Sequence, residues 1–149
     1  MPVAVMALGG AAGFVKYQDG MQRAADRAAA DSVQAAKDST VALLSYTPDT
    51  AEQSLTAARD RLIGTFRDSY TTLTRDVVIP GAIQQKISAT ATVPAASSVS
   101  ASRSEAKVLL FVNQAIVIDG QAPTQTNSVV EVTLTNVDGR WLISGFEPK

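Results

Sequence analysis

Tyr70 and Asp119 are the two candidates this sequence offers for the acid or base of an enzymatic proton transfer, and neither stands in a catalytic motif. The chain contains no His and no Cys. It therefore lacks the usual general base near neutral pH, the usual nitrogen ligand of a metal and any thiolate nucleophile. Its many Ser and Thr residues have no imidazole to activate them, and Lys86 and Lys107 stand in no nucleophile motif, so solvated hydroxyls on strands and loops are the favoured reading. Paired carboxylates occur only in trivial form, as with Asp26 and Asp31 on an exposed helix, where solvated charges are the better reading. Gly9-Gly10 follows no strand and precedes no GK[ST], which argues against a nucleotide loop. Asp138-Gly139 lacks the further acidic positions of a calcium loop. The expectation is a protein without catalytic residues, metal or cofactor.

Apolar chemistry is better represented. Aromatic residues are only 5% of the chain against 46% apolar residues in all. Rings this scarce are mostly needed for packing, and ordinary core is the favoured reading of Phe66, Tyr70, Phe111, Trp141 and Phe146. The sharper alternative is an apolar ligand pocket between a helix and a sheet. Phe66, Tyr70, Leu109, Phe111 and Trp141 are its candidate lining residues, with the Tyr70 hydroxyl as polar handle.

The elements that must position these residues follow from periodicity. Lys16 to Tyr46 is rich in Ala, free of Pro and interrupted only by Gly20, with charges at helical spacing, which predicts one long helix. A stripe of Met21, Ala25, Ala28, Ser32, Ala35, Ser39 and Ala42 would let a neighbour approach closely; packing on a second helix of the same domain is favoured over a coiled coil or a rigid stalk. Thr47-Pro48-Asp49-Thr50 should end this helix and start the next, with Pro48 at the first helical position. Leu55, Ala58, Leu62, Phe66, Tyr70 and Leu73 then form one apolar face, expected to be the main helix-to-sheet contact. Gly64 inside that helix would mark a close approach. Pro80 could open a short third helix ending near Lys86.

Beyond Lys86 the period changes to two. Ala89 to Ala101 carries Pro94, which implies an edge strand or a bulge. From Ala106 toward Ile118 both faces are apolar in the middle, so the second face is covered or supplies a pocket or an interface. Asp138-Gly139 between two alternating segments signals a tight hairpin, with Trp141 to Phe146 as the returning strand. Helices first and a meander afterwards mean α+β, with long N-terminal helices packed on a curved antiparallel sheet.

At 149 residues one core is the default. Thirteen basic and fourteen acidic residues give a net charge of -1, so the counterion-release term that dominates nucleic-acid affinity has no basis, and nucleic acid is discarded as a partner. Met1 to Val15 is uncharged and largely apolar. Spanning a bilayer as a helix takes roughly 20 apolar residues, so the favoured reading of 1-15 is the remnant of an N-terminal membrane anchor, ahead of a damaged signal sequence or a buried segment. Phe14 and Tyr17 around Lys16 match the composition of a membrane boundary.

Several blocks together, in order along nearly the whole chain, resemble the Mce-associated membrane proteins of mycobacteria and related actinobacteria. They are Thr40-Val41-Ala42-Leu43-Leu44-Ser45-Tyr46, Leu62-Ile63-Gly64-Thr65-Phe66 with Tyr70, Pro80 with Ala82, Val108-Leu109-Leu110-Phe111-Val112-Asn113-Gln114 and Asp138-Gly139-Arg140-Trp141-Leu142-Ile143. The resemblance implies a nuclear-transport-factor-2-like (cystatin-like) cone over residues 16-149, outside the cytoplasm, on a single-pass inner (plasma) membrane anchor. It implies a non-enzymatic accessory subunit that stabilises or assembles an Mce-type lipid import transporter, with Mce transporter subunits as protein partners. The family carries no established catalytic residues. The alternative function is an extracytoplasmic lipid-binding module using the apolar pocket described above.

Overall fold

A computed structural model describes the backbone of residues 2–149 and the side chains of residues 23–149. The expected anchor remnant at 1-15, the boundary residues Phe14, Lys16 and Tyr17, and Met21 of the small-residue stripe lie outside the described side chains. Among the described residues no helix is long and apolar enough to cross a membrane.

Four helices precede a four-stranded antiparallel sheet: α1 (Pro2–Leu44), α2 (Ala51–Ala58), α3 (Gly64–Leu73), α4 (Ile79–Gln85), β1 (Ile87–Ala101), β2 (Glu105–Ile118), β3 (Thr124–Val137) and β4 (Arg140–Pro148). The strands lie in the order β1-β2-β3-β4, a plain meander. The expected order of helices and then strands is therefore met.

β1 is an edge strand, and its register shifts between Thr92 and Ala95, so Val93 and Pro94 fall outside the ladder. A residue with no N–H to donate is tolerated at such a place. The Asp138-Gly139 hairpin also forms, with φ of 51° and 85° at the two positions and Val137 paired to Arg140. Asn136 Oδ1 accepts from the Gly139 N–H at 3.0 Å.

The small residues of α1 do bring it close to a neighbour, but that neighbour is chiefly the sheet. α1 lies mainly on β1 and β2 and only secondarily on α2. Ala28, Ser32 and Ser39 of the expected stripe are buried, joined by Ala36, Thr40 and Leu43, while Ala35 and Ala42 are half-buried. α1 thus supplies the large helix-to-sheet contact expected of the second helix. Its end is fixed by the sheet as well: Tyr46 exchanges both backbone hydrogen bonds with Ala89 at 2.8 Å, and the Ser45 hydroxyl accepts from the Ala91 N–H at 3.0 Å. Those bonds take Ser45 and Tyr46 out of the helix read to Tyr46.

The second helix is broken where one continuous helix was expected. A 3₁₀ turn at Arg59–Arg61 follows α2, and Leu62 and Ile63 are extended. Leu62 bridges Ile143 of β4 in parallel, and the Ile63 N–H donates to the Ile143 carbonyl at 2.9 Å. A backbone donor given to a strand cannot also serve a helix. Gly64, at φ 71°, turns the chain back into α3, and nothing lies within 4 Å of where its Cβ would be. Its role is therefore a left-handed backbone position, not the close approach expected. Pro48 likewise does not open a helix. α2 begins at Ala51, and the Thr47 and Thr50 hydroxyls bond to one another at 2.8 Å ahead of it. The short helix expected at Pro80 is present as α4 and ends at Lys86, in the left-handed region at φ 55°.

The core lies between the helices and one face of the sheet. Val108, Leu110 and Val112 of β2 and Val130, Val132 and Leu134 of β3 point into it, each at most 3% exposed. The opposite face carries Leu109, Phe111 and Val129, with Phe111 paired to Val129 and 46% exposed. Among the described residues no element covers that face.

Candidate functional site

The end of α1, α3 and the far ends of β2 and β4 surround a half-open cavity of about 300 Å³ with almost wholly apolar walls. α1 supplies Leu43 and Leu44 and the following Tyr46; α3 supplies Phe66, Tyr70 and Leu73. Thr74 and Val78 come from a π-helical turn, Thr74–Val78, that joins α3 to α4. Gln114 of β2 and Phe146 of β4 complete it.

Why these side chains converge is visible in the local structure. The break at Leu62–Gly64 tips α3 so that Phe66 stacks on Phe146, ring centroids 5.9 Å apart and planes 9° from parallel. Phe66 also meets Tyr70 at 6.4 Å with a tilt of 39°. A register shift in β4 opposite Thr133 and Leu134 brings Phe146 beside Val132, on the core side of the sheet.

The polar atoms in the wall are largely committed to the main chain. The Tyr70 hydroxyl donates to the Leu43 carbonyl at 2.9 Å, and Gln114 Nε2 reaches the Leu44 carbonyl at 3.5 Å. Both carbonyls belong to the last turn of α1, whose acceptors have no partner inside the helix. The Thr74 hydroxyl bonds the carbonyls of Tyr70 at 2.8 Å and Thr71 at 3.2 Å. Burial pushes the Tyr70 hydroxyl well above its ordinary range, with the nearby Arg59 opposing the shift. Burial raises Tyr46 too. Tyr70 is thus a protonated donor tied to the backbone, unsuited to act as a base.

The structure divides the five residues expected to line a pocket. Phe66 and Tyr70 do line this cavity. Trp141 packs against the core, on its margin, but does not reach the cavity. Leu109 and Phe111 stand on the opposite face of the sheet, because Leu110 and Val112 occupy the inner positions of β2 and side chains alternate along a strand. Asp119 is also apart: it sits in the turn after β2 at φ 47°, two-thirds exposed, 3.9 Å from Lys86 Nζ. Among the described residues no group of three or more acidic residues could hold a metal.

Sequence reasoning missed Leu43, Leu44, Tyr46, Leu73, Thr74, Val78 and Gln114 as wall residues. Four of them lie in the Thr40–Tyr46 and Val108–Gln114 blocks, so the signal was their clustering in distinctive segments. Arg59 does not line the cavity but touches one of its wall residues. Its Nη2 is 3.5 Å from the Thr74 hydroxyl, and its Nε is buried without a hydrogen-bond partner. The arrangement can shelter apolar matter.

No protein-family model matches the chain. It is 59% identical over 148 residues to the outer membrane protein Rv1973 of Mycobacterium tuberculosis, covering 99% of this chain and 92% of that protein. Its fold is similar to that of an IcmL-like type IV secretion system protein from Legionella pneumophila, with a TM-score of 0.66 and 9% identity over 78% of this chain and 88% of the other. The periplasmic domain of DotI is similar to it too, at a TM-score of 0.64 and 17% identity over 78% of this chain and 91% of the other. The expected α+β, nuclear-transport-factor-2-like fold is thereby established.

Proposed function

Given that the chain belongs to the family of the mycobacterial outer membrane protein Rv1973, we propose that it is an envelope-associated protein serving as a non-enzymatic accessory subunit of an Mce-type lipid import transporter. In this reading residues 16-149 stand outside the cytoplasm and 1-15 belong to a membrane anchor in the inner membrane. The observation that carries the envelope assignment is kinship over nearly the full length with a protein named for the outer membrane. The transporter, its lipid cargo and the inner-membrane anchor rest on the resemblance of the Thr40–Tyr46, Val108–Gln114 and Asp138–Ile143 blocks.

Two features of the structure favour an assembly role over chemistry. The buried Tyr70 hydroxyl is committed to the Leu43 carbonyl at the end of α1. An apolar ring, Phe111, stands 46% exposed beside Leu109 and Val129 on the outer face of the sheet, a place where protein partners find an anchor.

Affinity purification of the full-length protein from its native envelope, with mass spectrometry of what co-purifies, tests the reading. Mce transporter subunits should be recovered above a control anchor, and fractionation should place them with the protein in the inner membrane. The idea fails if deletion of the protein changes neither the abundance of those subunits nor lipid uptake.

A further inference from the structure

We propose that the cavity at the end of α1 is a binding site for a single unbranched acyl chain. This goes beyond the accessory role and does not depend on it.

Size comes first. At about 30 Å³ for each water-sized group, a cavity of about 300 Å³ takes about ten methylenes. That lies at the lower limit of small-molecule sites, and a fused four-ring body needs more.

Chemistry narrows the class further. No charged side chain lines the cavity; the Tyr70 and Thr74 hydroxyls and Gln114 Nε2 are bonded to main-chain carbonyls, which leaves the Tyr46 hydroxyl and Gln114 Oε1 as the few other side-chain polar atoms of its lining residues. A peptide brought into it would bury amides without partners, which is costly. An acyl chain brings no polar group and leaves those bonds intact. Its head group would remain outside, in the neighbouring groove where Leu73 and Val77, 52% and 60% exposed, adjoin the polar Asp68, Ser69, Thr72 and Asp76.

The wall itself is built with an irregularity. Thr74 and Val78 face the cavity from a π-helical turn, a rare geometry that recurs at functional sites. A regular helix through Thr74–Val78 would turn these two side chains differently. The structure spends a distortion where it keeps a space open.

The test uses the full 149-residue chain in detergent-free buffer, with methyl resonances observed by NMR while decanoate is added below its micelle concentration. Saturable shifts confined to Leu43, Leu44, Leu73 and Val78 are expected. Val78→Trp, which fills the cavity, should weaken binding at least about tenfold. Leu73→Trp at the more tolerant mouth does the same if Val78→Trp fails to fold. A lysophospholipid with a ten-carbon chain, run in parallel, distinguishes the sources: equal affinity means the chain alone is recognised, and a preference identifies the head group. Non-saturable shifts, shifts centred on Leu109 and Phe111, or undiminished binding by a folded cavity-filling variant would overturn the proposal.

Discussion

The two faces of β2 read almost alike in sequence and do opposite work. Val108, Leu110 and Val112 are at most 3% exposed beneath the helices, while Leu109 and Phe111, on the same strand, face away from them. Apolar character alone does not say which face folds the protein. The difference comes from what covers each: α1, with small residues such as Ala36 and Ser39, lies directly on the inner face. On the outer face Phe111 is 46% exposed and Leu109 and Val129 are half-buried, so burial there is incomplete where the inner face is sealed.

The sharpest way to break this contrast is to truncate the inner face. Leu110→Ala should cost about 2 to 5 kcal/mol, through lost burial and the cavity left behind, and urea denaturation measures it. An effect no larger than that of a surface change would contradict the assignment of Leu110 to the core.

Next in size is the device that seats α3. Gly64→Ala places a side chain at φ 71° with open space around it, so only backbone strain is introduced, about 1 to 2 kcal/mol, visible as a lowered Tm. Wild-type stability would mean that the chain does not need its left-handed position.

Tyr70→Phe comes third. Losing the donor to the Leu43 carbonyl should cost about 1 kcal/mol at neutral pH. The pH dependence has a definite sign. Burial raises the folded-state pKa above the ordinary 10.0, so the folded chain holds this proton more tightly than the unfolded one. Its stabilising contribution is complete below the ordinary value and is lost as pH climbs beyond it. Denaturation followed across that alkaline range should fall less steeply for the Phe variant; parallel curves would show that Tyr70 is not the buried titrating group.

The smallest stability effect belongs to the outer face. Phe111→Thr keeps strand propensity and should stay within about 0.5 kcal/mol of the parent. In the envelope purification the same variant should recover fewer transporter subunits. Unchanged recovery would separate Phe111 from partner binding while leaving the fold as described.

How much of the fold was legible depended on how local the cause was. Pro94 outside the β1 ladder and the Asp138-Gly139 turn follow from the backbone limits of those residues, and both were readable. The candidate site was half legible: Phe66 and Tyr70 were on the correct helix face, but Leu109 and Phe111 were assigned to the same pocket. Periodicity shows that β2 has two apolar faces and carries no information on which of them the helices meet. Gln114 continues the inner alternation of Val108, Leu110 and Val112, but that it and Tyr46 meet at one cavity depends on bonds to Leu44 and Ala89, far away in sequence.

By itself, then, the sequence determined the order of helices and strands, the hairpin, the edge strand and the lack of His- or Cys-based chemistry, since these depend on residue type, short-range periodicity and backbone limits. Only the tertiary structure decided that the second helix breaks at Leu62–Gly64, that α1 and not that helix carries the main contact to the sheet, and that the Tyr70 hydroxyl caps α1. The Ile63 N–H turns to Ile143 and the Tyr70 hydroxyl to Leu43, and a hydrogen-bond partner so distant along the chain exists only once the fold has brought it near.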